Sequence, residues 1–138
     1  MMRIELLAEN GMYLRFTLTI EDSQSLHKQG IIIAAVSIME AASLEKGDDD
    51  ELRAILKWFN ENLKVPKILD QDGHFRALSW FRPQAREPIL KAWELSRLLQ
   101  ANGYLVEVHK SRNPGRVIYE DEDQIVAICT KEVRGTWR

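Results

Sequence analysis

The chain has one cysteine, Cys129, so no intrachain disulfide can staple it. That excludes a small disulfide-built secreted scaffold and fits a reducing compartment. Long apolar runs are also missing. The longest, residues 31–36, is far short of the eighteen or so needed to cross a bilayer. The opening Met1-Met2-Arg3-Ile4-Glu5 lacks the apolar stretch of a signal peptide, so the expected location is the cytoplasm and no membrane is expected as a partner. Histidine is scarce: His27, His74 and His109 lie far apart, and none is spaced as a metal pair. No serine sits in a nucleophile elbow, and no glycine-rich phosphate loop occurs. Neither metal nor cofactor is expected, and an enzyme is the less favoured reading.

Nor does either sign of charge dominate. Nineteen basic and 21 acidic residues leave a net charge of −2. A pI near 5.9 is not the footprint of a dedicated nucleic-acid binder. The charge is unevenly spread, however. Residues 74–116 carry +5 and the remainder −7, an asymmetry that marks either an anion-binding face or simply two solvated faces.

With 45% hydrophobic and 29% charged residues, the composition is that of an ordinary globular protein. At 138 residues it is the size of one α+β domain, 1–138, with 130–138 as a polar tail carrying Trp137. Residues 3–8 and 12–20 alternate apolar with polar, as strands do. Asn10-Gly11 between them predicts an N-terminal hairpin. A two-residue turn would set polar against apolar faces, so the register favours a three-residue turn with Gly11 left-handed. Residues 21–30 are polar and read as irregular or a short helix. Residues 31–38 are β-branched and apolar throughout, which reads as a buried strand; the competing reading is a helix running on to Leu44.

Two main helices are expected, at about 48–64 and 84–101. In the first, Asp48 and Glu51 form a capping box, and Leu52, Ile55, Leu56, Phe59 and Leu63 recur at helical spacing. The second presents Ala85, Ile89, Ala92, Trp93, Leu95 and Leu99 and stops at Asn102-Gly103. It links a strand at 75–82 to one at 104–110, which predicts a βαβ crossover with one parallel pair in a mixed, mainly antiparallel sheet. A C-terminal meander follows, its strands at 116–119 and 124–129 separated by the acidic run 120–123. Trp58 and Trp80 fit core positions, and Cys129 reads as a buried structural thiol.

Seven strands about 4.8 Å apart make a sheet on the order of 30 Å wide. Two helices about 10 Å across cover roughly 20 Å of one face. Yet 31–38, 78–81 and 125–128 are apolar toward both faces. This surplus favours a partner, so the leading expectation is a non-catalytic protein of inhibitor, immunity or adaptor type. It would act by protein–protein interaction, with a protein partner or with itself as a homodimer.

The alternative is binding of nucleic acid or a phosphorylated small molecule. Its candidate residues are Ser79, Arg82 and Arg86 at a strand-to-helix joint, with Lys110, Arg112 and Arg116 around a basic hairpin tip. Glu107-Val108-His109-Lys110 is similar to the Glu-x-Lys strand of metal-dependent nucleases, but His109 stands where the lysine belongs. Residues 117–122 are similar to the opening hairpin of histidine-triad nucleotide hydrolases. The alternating histidines that do that family's chemistry are absent, so neither activity is expected.

Overall fold

The computed structural model describes residues 11–21, 26–64 and 77–128. Its elements are β1 (Tyr13–Glu21), β2 (Leu26–Gly30), α1 (Ile31–Ala41), α2 (Lys46–Asn62), β3 (Ala77–Phe81), α3 (Arg86–Ala101), β4 (Val106–Ser111), β5 (Arg116–Glu120) and β6 (Gln124–Ile128). This is the expected α+β class, an antiparallel sheet of six strands with three helices. The strand order is β2-β1-β3-β6-β5, with β4 also pairing β1. The predicted strand at 3–8, Cys129 and the tail with Trp137 lie outside the described residues. Gly11 does take the left-handed φ of +69° that the three-residue turn required.

Two expectations are overturned. Residues 31–38 are not a strand but most of α1, and residues 26–30, read as irregular, are β2. The three isoleucines have strand propensity, but propensity is a weak preference that burial overrides. As a helix, the segment puts Ile31, Ala34, Ala35 and Ile38 on one buried stripe and leaves Ile33 61% exposed. A strand would have split those residues between two faces. Gly30 joins β2 directly to α1, and α1 ends at Ala42, which is left-handed (φ 52°, ψ 40°) with its N–H bonded to Met39 O.

The other two helices fall where the apolar spacing put them. Leu52, Ile55, Leu56 and Phe59 are buried on α2, and Ile89, Ala92, Leu95 and Leu99 on α3. The start of α2 differs: Glu45 is its N-cap, so Asp48 lies inside the first turn. Asp48 and Asp49 still sit at the positive end of the helix dipole. Asp48 accepts from Asn102 Nδ2 at 3.2 Å, and Arg53 Nε donates to Asp49 at 2.7 Å. At the end of α3, Tyr104 N–H bonds to Leu99 O while Gly103 has a φ of +90°, the left-handed stop that its sequence announced.

Strand, helix and strand do follow one another at β3, α3 and β4. The two strands are not hydrogen-bonded neighbours, however: β3 pairs β1 and β6, and β4 pairs β1. The expected parallel pair is replaced by antiparallel ladders, which are slightly stronger per residue. For the same reason 112–115 is no hairpin tip, because β4 and β5 belong to different ladders.

The described residues pack as two compact units. In one (11–15, 64, 77–86 and 110–128), β3 and β6 pair from Ala77↔Ile128 to Phe81↔Gln124. Trp80, Ile125 and Ala127 cluster on one face with Tyr13 and Leu78 packed against them; Val126, Phe81 and Gln124 are buried on the other. Strand β5 pairs β6 with a bulge at Ile118, between Val117 and Tyr119. In the other unit (16–21, 26–63 and 87–109), β1 pairs β2 from Thr17↔Gly30 to Glu21↔Leu26. Phe16 meets Trp93 of α3 edge-on, centroids 5.0 Å apart. α1 packs on α2 and β2.

Among the described residues, therefore, the expected surplus of apolar sheet is not found. One of its three segments is a helix, and the other two are buried on both faces within the chain itself.

The left-handed Ala42 gives a direct test. A residue with a Cβ in that conformation is strained by about 1 kcal/mol, and glycine is not. Ala42→Gly is expected to raise unfolding free energy by up to about 1 kcal/mol in urea, with the m-value unchanged.

Candidate functional site

Of the six residues singled out from the sequence, two meet at the β5–β6 turn. Ser79 Oγ donates to Gln124 Oε1 at 2.7 Å. Gln124, 3% exposed, donates through Nε2 to Lys64 O, and its backbone N–H reaches Asp121 Oδ1. Arg82 Nη1 donates to Asp121 O at 2.9 Å and lies 3.1 Å from Glu120 Oε2. Gln84 Oε1 accepts from Arg82 Nη2 and Nε at 2.9 and 3.0 Å in the amide orientation that satisfies both groups. The Arg82 backbone N–H is spent on Asp123 O. This guanidinium therefore clamps the acidic turn to the start of the β3–α3 joint, and each of its three nitrogens already has an acceptor. The joint itself is a turn at Pro83-Gln84, with Ala85 N–H bonded to Arg82 O and Arg86 N–H to Gln84 O. Arg86 is exposed at the first position of α3, and Lys110, Arg112 and Arg116 are exposed along the β4–β5 connection.

The acidic run is a turn built on one residue. Asp121 accepts from Tyr119 OH (2.8 Å), Asp123 N–H (2.8 Å) and Gln124 N–H (2.9 Å). Burial alone would raise its carboxyl, but these donors outweigh burial and hold it below the ordinary value of 3.8. Tyr119 is raised, chiefly because its hydroxyl proton is shared with that carboxylate.

Glu107 and His109, on β4, are taken up in the sheet. Lys28 Nζ of β2 lies 3.0 Å from Glu107 Oε1, and its hydrogen bond holds Glu107 below the ordinary carboxylate range. His109 Nε2 lies 2.9 Å from Thr17 Oγ1. Thr19 N–H bonds to Leu105 O. By strand alternation Thr17, Thr19, Lys28, Glu107 and His109 share the face of β2-β1-β4 opposite to Phe16 and Leu18. Two residues before Lys28 is Leu26, 69% exposed; two before Glu107 is Leu105, 62% exposed. Among the described residues, no three of His, Cys, Asp or Glu gather as metal ligands do. No described helix is long and apolar enough to cross a membrane.

Sequence reasoning missed Arg15. The alternation of residues 12–20 says only that it shares the polar side of that strand with Tyr13, Thr17 and Thr19. In the structure it is half-buried, and Nη1 donates to Ser79 O at 3.1 Å. Burial pulls its pKa down to about 10, and no charged group offsets that effect. The signal available in the sequence was a lone cation in the middle of a strand whose neighbours are aromatic, aliphatic or threonine.

Comparison with known protein families, with curated proteins and with solved structures finds no match to this chain.

The Asp121 turn makes a pH prediction. Because its folded-state pKa is depressed, its ionised form contributes stability above the ordinary value of 3.8, and that contribution is lost as pH falls through the lower folded value. Asp121→Asn is expected to lower unfolding free energy at pH 7 and to flatten its decline between pH 5 and 2, read by urea titrations across that range.

Proposed function

We propose that this is a non-catalytic protein that acts by binding another protein, with the open face of β2-β1-β4 as its contact surface. The supporting observation is the pair of leucines, Leu26 and Leu105, that stand 69% and 62% exposed on either side of β1. Single exposed apolar residues are normal on any surface. Two large ones on one sheet face are less so, particularly where the charges between them, Lys28 and Glu107, already neutralise each other. Such a face presents apolar anchors with little charge left to desolvate, which is the anatomy of the centre of a protein contact. The notion of a companion covering surplus β-surface carries no weight in this reading, because that surface is internal. A second copy of the chain is one candidate partner, and the role remains of the inhibitor, immunity or adaptor kind.

A photo-crosslinking amino acid in place of Leu26 or Leu105 is expected to capture a discrete protein species in cells, with the same residue at exposed Arg112 as control. A product of twice the chain mass identifies a second copy. Leu26→Glu combined with Leu105→Glu should abolish capture at a crosslinker placed at Thr19, while changing stability by no more than about 0.5 kcal/mol. Indistinguishable capture at Leu26, Leu105 and Arg112 would overturn the proposal.

A further inference from the structure

Arg15 is the charged group that the packing of its own unit leaves unexplained. A guanidinium carries five N–H donors in a planar fork. In a folded protein a half-buried one is ordinarily met by a carboxylate, often through two parallel bonds. Here one donor reaches one backbone carbonyl, Ser79 O, and no carboxylate among the described residues comes within ion-pairing distance. A cation withdrawn from water without a counter-charge is costly to keep. Arg82 lies only three residues along the chain from Ser79 and shows the contrast, since its fork is occupied by Glu120, Asp121 O and Gln84.

The surroundings narrow the ligand. Leu14 pairs with Phe81 across β1 and β3, so one step along that ladder sets Arg15 opposite Trp80. Tyr13 lies two residues away on the same side of β1, and Tyr13 and Leu78 both pack against the Trp80–Ile125–Ala127 cluster. The fork therefore adjoins Tyr13 and Leu78, two partly exposed residues at the edge of a buried apolar cluster. A single guanidinium can neutralise one negative charge in such a place; a dianionic phosphate would bring a second that nothing there offsets.

We propose that Arg15 anchors a binding site for a carboxylate carried on an apolar or aromatic body, with Tyr13 and Leu78 forming the wall against which that body lies. The fork takes the two carboxylate oxygens, and the ring or chain behind them is removed from water on that wall. The same chemistry is met in a free organic acid and in a carboxylate displayed by a protein partner. The proposal does not rest on the leucine-flanked face binding a protein, because its anchor is Arg15 and neither Leu26 nor Leu105 takes part in it.

Benzoate, acetate and inorganic phosphate, each at matched ionic strength, separate the possibilities through thermal unfolding of the full chain. Benzoate should raise the midpoint most, because it supplies both the charge and the apolar body. At ten times its dissociation constant it multiplies the folded-to-unfolded ratio about 11-fold. Arg15→Met should lose that increment, whereas Arg82→Ala and the triple substitution of Lys110, Arg112 and Arg116 to alanine should retain it. Should Arg15→Met fail to fold, the Arg15 Nε–H resonance of the unaltered protein gives a second readout, expected to shift on benzoate titration and not on chloride. A short peptide ending in a free phenylalanine carboxylate, compared with its amide, tests the partner-borne form: the acid alone should compete with benzoate if the site admits a displayed carboxylate. Equal midpoint shifts for all three anions, or a benzoate increment that survives in Arg15→Met, would sink the proposal.

Discussion

The period-two alternation of β1 is the constraint on which the described structure turns. Leu14, Phe16 and Leu18 are all but fully buried, and a strand cannot bury one set of alternate residues without committing the other set to the opposite face. Tyr13, Arg15, Thr17 and Thr19 therefore share a side because their neighbours are apolar, not because each was independently suited to it. Moving the register by one residue would expose three large apolar side chains, at about 1.5–3 kcal/mol each. The position of Arg15 is enforced by that penalty. So is the approach of Thr17 to His109, and of Thr19 to the backbone of Leu105.

The parts of the fold that were legible in the sequence are those where one periodicity had no rival. Leu52, Ile55, Leu56 and Phe59 can share a face only on a helix, and Asn102-Gly103 can end α3 because glycine tolerates a φ of +90°. The β5–β6 meander was legible because Gln124–Ile128 is short, apolar and preceded by turn residues. Residues 31–41 were not legible, since six successive apolar residues carry no period at all. Which periodicity they adopt is decided by what they pack against, here α2 and β2, and that information lies elsewhere in the chain. The pairing of β4 with β1 was hidden for a related reason: local sequence gives strand and connection but not the distant partner.

The candidate site divides along the same line. Arginine at a strand-to-helix joint looked like an anion site, and the sequence neighbourhood offered no sign that Arg82 was already committed. Two of its acceptors, Asp121 O and Glu120, lie about 40 residues away, in the turn organised by Asp121. Charge counted along the chain measures how many cations are present, not how many have donors to spare. The acidic run and the basic joint, separate features along the sequence, are two halves of one structural clamp.

Arg15 reverses that inference. Its charge was unremarkable in a count of nineteen basic residues, yet it is a half-buried guanidinium held by one backbone carbonyl. A buried arginine whose function were only structural would be expected to have a carboxylate partner, because the cost of desolvating the guanidinium is otherwise borne by the folded state alone. A methionine at this position could pack against Tyr13 and Leu78 at no such cost, and Ser79 O would lose only one hydrogen bond, worth about 1 kcal/mol. Among the described residues, then, nothing offsets the charge that Arg15 brings into the fold. Strain of this kind is sustained where a counter-charge arrives from outside, and the apolar surface beside Arg15 then limits what that counter-charge can be attached to.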